Sequence, residues 1–266
     1  MSTSTSTRPA PAPAPGRDLW VIVPAYNEHR ALPATLNALA TQQDRDFTLL
    51  VVDNASTDAT ADVVRTFAAA HPDFDVRVIA EPCKGTGAAA DTGMRYAIAA
   101  GARLLARTDA DCLPDPDWIA TARAALGSGL EMVTGVLRPR RDEVRLKVWE
   151  RWLLPAVISL CATFGKFRPG NRDPAYLGPY MMCPGCNLAI TATLYERSGG
   201  FPRTAVEDVH EDRALANRVR KVTRAYGRTR GMVVYGSVRR LRSYGLIGTL
   251  AWYLDHKNRP AEVDIR

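Results

Sequence analysis

Two short acidic clusters stand out by residue type and spacing. Asp109-Ala110-Asp111 sets two carboxylates on either side of one small residue. On an extended backbone, side chains two positions apart point the same way, so both can face one hard cation. Mg²⁺ or Mn²⁺ held by one or two carboxylates completes its shell with phosphate oxygens and water. The second cluster, Glu211-Asp212, opens an amphipathic stretch carrying Leu215 and Val219 on one side. Carboxylates at that place complement the positive end of a helix dipole. A near-duplicate, Glu207-Asp208, precedes it by four residues, with His210 between them. Cys183-Pro184-Gly185-Cys186 is a lone CxxC with no second pair or His at zinc-finger spacing, which is weak support for a metal or redox centre.

The elements that must carry these clusters alternate between strand and helix. Leu19 to Val23 is an unbroken apolar run closed by Pro24, the pattern of a strand buried on both faces. Phe47 to Val52 repeats it and ends at Asp53; Val76 to Ile79, Arg103 to Arg107 and Glu131 to Gly135 supply three further strands. Helical patterns lie between, through Leu32, Leu36 and Leu39, through Val63, Val64 and Phe67, from Gly87 to Ala100, and from Trp118 to Leu126. The order implies an α/β fold with an open, mostly parallel sheet and helices on both faces. Ligands of such sheets bind at the carboxyl ends of the strands. Asn27-Glu28, Asp53-Asn54, Lys84-Gly85 and Asp109-Asp111 all fall at those ends, which argues for one composite site.

With these elements in place the chain resembles the nucleotide-sugar glycosyltransferases of family 2, which have the GT-A fold. The likeness runs through Val23-Pro24-Ala25-Tyr26-Asn27-Glu28, Val51 to Asp58, Thr108-Asp109-Ala110-Asp111, Gly185 to Ile190, Gly199-Gly200-Phe201 and Glu211 to Arg218, in family order and spacing. It implies an inverting, metal-dependent transferase that moves a single sugar from a nucleoside-diphosphate sugar, UDP foremost, to a hydroxyl acceptor that is a small molecule or lipid-linked. Pro24, Ala25, Tyr26, Glu28 and Asp53 would then line the nucleotide pocket, and Lys84 would belong to the glycine region that closes over the donor. Asp111 would be the direct Mg²⁺ or Mn²⁺ ligand, with Asp109 toward the ribose or behind the metal. Asp212, beside Glu211, would be the general base, with Asp208 as its rival. Gly185, Asn187 and the aromatic Trp149 would lie on the acceptor side, with Trp152 near. Arg239-Arg240-Leu241-Arg242-Ser243 is similar to an arginine motif of processive relatives but lacks its Trp, and Arg242 would meet the diphosphate. Ala90-Asp91-Thr92 stands where the family carries Ala-Arg-Asn, which weakens the case for donor contacts from that helix.

The 266 residues carry 35 Lys+Arg against 28 Asp+Glu, a net charge of +7 that invites a nucleic-acid reading. The excess is local. Arg213 to Arg259 holds twelve basic residues against Asp255 alone, leaving 23 basic and 27 acidic residues elsewhere. No nucleic-acid motif accompanies it. That segment suits a diphosphate, or peripheral contact with anionic lipid through Leu246, Ile247, Leu250, Trp252 and Tyr253. Residues 1–17 are expected to be a disordered Ser/Thr/Pro/Ala tail, 18–220 the catalytic domain, and 221–266 a helical, basic, amphipathic extension. The longest apolar run, Trp152 to Phe164, is too short to span a bilayer, and five scattered cysteines fit a reducing, cytoplasmic setting, at the inner face of the membrane if the acceptor is lipid-linked. Two other functions remain open: a nucleotidyltransferase on a related sheet, and a non-enzymatic polyanion binder. The first would need a Gly-rich phosphate loop where Pro24-Ala25-Tyr26-Asn27 stands.

Overall fold

A computed structural model of the chain describes residues 17–140, 142, 171–203 and 211–239. Within them β1 (Leu19–Ala25), β2 (Thr48–Asp53), β3 (Val76–Ala80) and β4 (Leu104–Arg107) form a parallel half-sheet in the order β3-β2-β1-β4. The connecting helices are α1 (Leu32–Ala40), α2 (Thr60–Ala70) and α3 (Thr86–Ala99). β1 is buried along its whole length, as its unbroken apolar run requires. Its odd positions, Leu19, Val21 and Val23, pack into the core layer of α1, α2 and α4 (Trp118–Gly127); its even positions, Trp20 and Ile22, face α3. A slip of one residue would exchange the two faces, and each buried Leu, Val or Ile contributes about 1.5–3 kcal/mol, so the register is firmly set. α3 lies close on the sheet because its small residues allow it. A Cβ at Gly93 would stand 2.7 Å from Ile22 Cγ2 and 2.8 Å from Val52 Cγ2.

The other half of the sheet is mixed. β7 (Leu188–Thr191) runs antiparallel between β4 and β6 (Met132–Pro139), and β8 (Tyr226–Gly236) pairs parallel with β6 and antiparallel with the short β5 (Leu113–Pro114). β6 is therefore not the next parallel strand after β4, because a later segment is inserted between them. The stretch from 226 to 236 is also a strand of the sheet rather than part of a helical extension, and its Met232, Val233 and Val234 are buried. α5 (Ala192–Ser198) follows β7 directly, capped by Thr191, whose Oγ1 accepts from Leu194 N. α6 (Glu211–Val222) buries Leu215, Ala216 and Val219 against the α3 side and opens with both acidic residues at its positive end. Residues 1–16 of the expected tail and 240–266 of the extension lie outside the described residues.

Candidate active site

The carboxyl ends of β1, β2 and β3 are laced together by side chains of their own loops. Asn27, at φ 53°, takes a left-handed conformation that asparagine tolerates. Its Oδ1 accepts from Thr57 N at 2.8 Å, and its N–H donates to Ser56 Oγ at 3.0 Å. Glu28 N donates to Thr60 Oγ1 at 2.8 Å. Asn54 joins β2 to the glycine loop: Nδ2 donates to the carbonyls of Glu81 and Cys83, and Oδ1 accepts from Gly85 N at 2.8 Å. Asp58 accepts from the Thr60 hydroxyl and from the Thr60 and His29 amides, and lies 2.6 Å from His29 Nδ1; burial works against its charge, yet these hydrogen bonds, the Thr60 hydroxyl's first, hold its carboxyl down to about 2.

The residues expected around a nucleotide gather on this scaffold. Pro24 and Ala25 pair in register with Val52 and Asp53, which sets Asp53 beside the β1 end. Asp53 Oδ1 accepts from Ser56 N at 3.3 Å. Lys84 Nζ stands 5.1 Å from the Tyr26 ring centroid and 3.3 Å from its hydroxyl, so cation and aromatic face form one wall. Asp91 and Thr92 serve packing instead: Asp91 pairs with Arg95 at 2.9 Å and accepts from the Tyr195 hydroxyl at 2.8 Å, while Thr92 bonds Glu81.

Asp109 and Asp111 each meet a different arginine. The chain leaves β4 in a turn, with Cys112 N donating to Asp109 O at 3.1 Å, in place of the expected extended backbone. Asp109 Oδ1 lies 3.2 Å from Arg107 Nη2. Asp111 Oδ2 lies 2.9 Å from Arg239 Nη2, and the same nitrogen is 2.8 and 2.9 Å from the two carboxylate oxygens of Glu28. Glu28 and Asp111 thus converge from two strand ends on one positive charge. The turn is held from both sides, by Thr35 Oγ1 donating to Ala110 O at 2.8 Å and by Arg140 Nη1 donating to Asp111 O at 2.9 Å. Among the described residues no three His, Cys, Asp or Glu side chains converge on a metal position. The Glu28–Asp111 pair nevertheless fits a hard cation that draws its other ligands from phosphate and water.

Across the cleft, Asp212 Oδ2 accepts from Gly185 N at 3.3 Å and Oδ1 from Arg213 N at 2.6 Å. Burial and the neighbouring Glu211 charge push its carboxyl up to about 6, against the pull of these amides and of Arg107. Glu211 Oε1 lies 3.3 Å from Arg107 Nη2. The thiol of Cys183 is pushed well up by burial and by Asp212, and Cys83, Cys112, Cys183 and Cys186 are all free.

Asn187 departs from its expected place on the acceptor side. It is 0% exposed: Oδ1 accepts from Trp118 Nε1 at 2.9 Å, and Nδ2 donates to the carbonyls of Val136 and Met232, each at 3.0 Å. Its amide is consumed in joining α4, β6 and β8. Trp149, Trp152, Asp208 and Arg242 lie outside the described residues. Arg107 was not singled out in the sequence. The signal for it is a lone charge closing the apolar run Leu104-Leu105-Ala106.

A parallel half-sheet with acidic clusters at its carboxyl ends, extended by a mixed half that delivers Glu211-Asp212 to the same cleft, is the GT-A glycosyltransferase architecture. Residues 20–197 match the family model described as glycosyl transferase family 2, and the chain belongs to that family. A glycosyltransferase of Mycobacterium tuberculosis is 37% identical over 187 residues, covering 70% of this chain and 76% of its own. Glycosyltransferase AglE of Haloferax volcanii is 33% identical over 118 residues, 43% of this chain but only 38% of that relative's length. The mannosyltransferase PcManGT of Pyrobaculum calidifontis, solved with GDP-Man and Mn²⁺, superposes with a TM-score of 0.62 at 27% identity, over 92% of this chain and 66% of that one.

Proposed function

We propose that the protein is an inverting, divalent-cation-dependent transferase that moves one sugar from a nucleoside-diphosphate sugar to an acceptor hydroxyl. The observation that carries this is the convergence of Glu28 and Asp111 on a single positive charge, 2.8 to 2.9 Å from their oxygens, opposite a carboxylate raised to about 6 at Asp212. Pro24, Ala25, Tyr26 and Asp53 hold the nucleoside; a carboxylate at Asp53 suits a base imide or ribose hydroxyl donor. Lys84 closes over it. Asp111, with Asp109 behind, would hold Mg²⁺ or Mn²⁺, which supplies charge neutralisation to the departing diphosphate. Asp212 takes the proton of the acceptor hydroxyl, whose oxygen attacks the anomeric carbon from the face opposite the leaving group. A base near neutrality is well matched to that transfer.

UDP is the donor nucleotide we favour; GDP is the second reading, because the related mannosyltransferase was solved with GDP-Man. A lipid-linked acceptor at the inner face of the membrane accords with the basic segment and the free thiols, and no helix among the described residues is long and apolar enough to cross a membrane. A thermal-shift screen of UDP-, GDP- and TDP-sugars with Mn²⁺ tests the donor class, since ligand binding raises the melting temperature by mass action. One nucleotide should give a shift of several degrees that EDTA removes; no shift with any of them would contradict the donor assignment.

A further inference from the structure

We propose that Arg107 is a positioning residue for this transfer, a buried cation that ties the Asp109 end of the cleft to the Glu211-Asp212 end. The inference rests on the function proposed above. Arg107 closes β4 on the α3 and α6 side and is 1% exposed, where an arginine is costly unless its charge is used. Its Nη2 meets Asp109 Oδ1 at 3.2 Å and Glu211 Oε1 at 3.3 Å, the latter 104 positions from Arg107 along the chain. Burial alone would lower its pKa, but the charges of Asp109, Glu211 and Asp212 outweigh that and raise it, so the guanidinium stays charged throughout the working range.

Its setting is a slot. Phe201 lies on one side, with its ring centroid 4.9 Å from Cζ. Gly185 lies against the guanidinium on the other, where an added Cβ would stand 3.3 Å from Cζ, Nη1 and Nη2. The same Gly185 donates its N–H to Asp212 Oδ2, so the backbone that confines Arg107 also holds the base. Among the described residues, Nε and Nη1 are buried without a hydrogen-bond partner. Asp109, Glu211 and Asp212 would repel one another without the charge between them. The glycine and Gly-Gly-Phe motifs thus acquire a role as the two sides of the arginine slot, in place of direct acceptor contact.

The test compares Arg107→Met, Arg107→Lys and Gly185→Ala with the wild type in kcat, in affinity for UDP or GDP in EDTA, and in melting temperature. Misplacing a catalytic group by about 1 Å costs roughly 100-fold. Arg107→Met should therefore lower kcat by about 100-fold while nucleotide affinity in EDTA stays within about threefold, because Pro24, Ala25, Tyr26 and Asp53 lie at the β1 and β2 ends. Arg107→Lys should recover part of that loss. Gly185→Ala, which keeps the charge but crowds it, should cost roughly tenfold in kcat with nucleotide affinity unchanged. Near-normal kcat in Arg107→Met overturns the proposal, as does a loss of kcat and nucleotide affinity in parallel. If Arg107→Met does not fold, Gly185→Ala decides, and full kcat there overturns it. A wild type that transfers no sugar from any donor contradicts the function and this role together, whereas an active wild type indifferent to both sites contradicts the role alone.

Discussion

Asp212 is half-buried and its carboxyl is raised to about 6, which has its cause in burial and in its neighbours. Burial and Glu211 favour the protonated form, while the Gly185 and Arg213 amides limit the rise. The base works only when deprotonated, so kcat should fall as pH drops through about 6, by about tenfold per unit below it. Asp212→Asn should abolish transfer. The sign for stability is the opposite of the usual carboxylate: a folded pKa above the unfolded value means that stability is lost as pH rises from about 4 to 6. Asp212→Asn is no clean probe of that sign, because its Nδ2 would face the Gly185 or the Arg213 N–H, both of which donate to the carboxylate. A flat pH–rate profile between 5 and 8 would remove Asp212 from the role; Asp208 is the next residue to replace.

At the scale of elements, the parallel half was legible, and of the mixed half only the strand at Glu131 to Gly135 was. β1 and β2 are continuous apolar runs ending at Pro24-Ala25 and Asp53, and their pairing follows from that pattern. β7 has only four residues and is brought between β4 and β6 from far along the chain. Tyr226 to Gly236 reads as basic and glycine-bearing, because its outer end is exposed and only Met232 to Val234 are fully buried. The same long-range assembly explains Asn187: its partners Trp118, Val136 and Met232 come from three elements, which no local pattern reveals. Removing one partner of a buried hydrogen bond costs about 1–3 kcal/mol for each group left unpaired. Asn187→Ala should therefore destabilise the fold by roughly 3 kcal/mol or more in urea unfolding, with an unchanged acceptor KM in the folded fraction. A raised acceptor KM at wild-type stability would return Asn187 to the acceptor site.

Across the whole molecule, the acidic clusters found by residue type are joined through Arg107, which meets both Asp109 and Glu211, but their detailed partners came from the fold. Asp109 is taken up by Arg107, two residues before it, and Asp111 by Arg239, 128 positions further on. The net charge of +7 consequently says little about the working surface, since part of the C-terminal excess is spent inside an acidic site: Arg239 lies between Glu28 and Asp111. The central claim is that Asp111 serves a cation-dependent donor site while Asp212 serves the acceptor. It is tested most directly by calorimetric titration of UDP and GDP, with Mn²⁺ or with EDTA, into wild type, Asp111→Asn and Asp212→Asn. Wild type and Asp212→Asn should bind one nucleotide at least about tenfold more tightly with Mn²⁺, a difference of about 1.4 kcal/mol, and Asp111→Asn should lose that gain. Equal affinity in Mn²⁺ and EDTA, or an Mn²⁺ gain that survives in Asp111→Asn, would contradict the account.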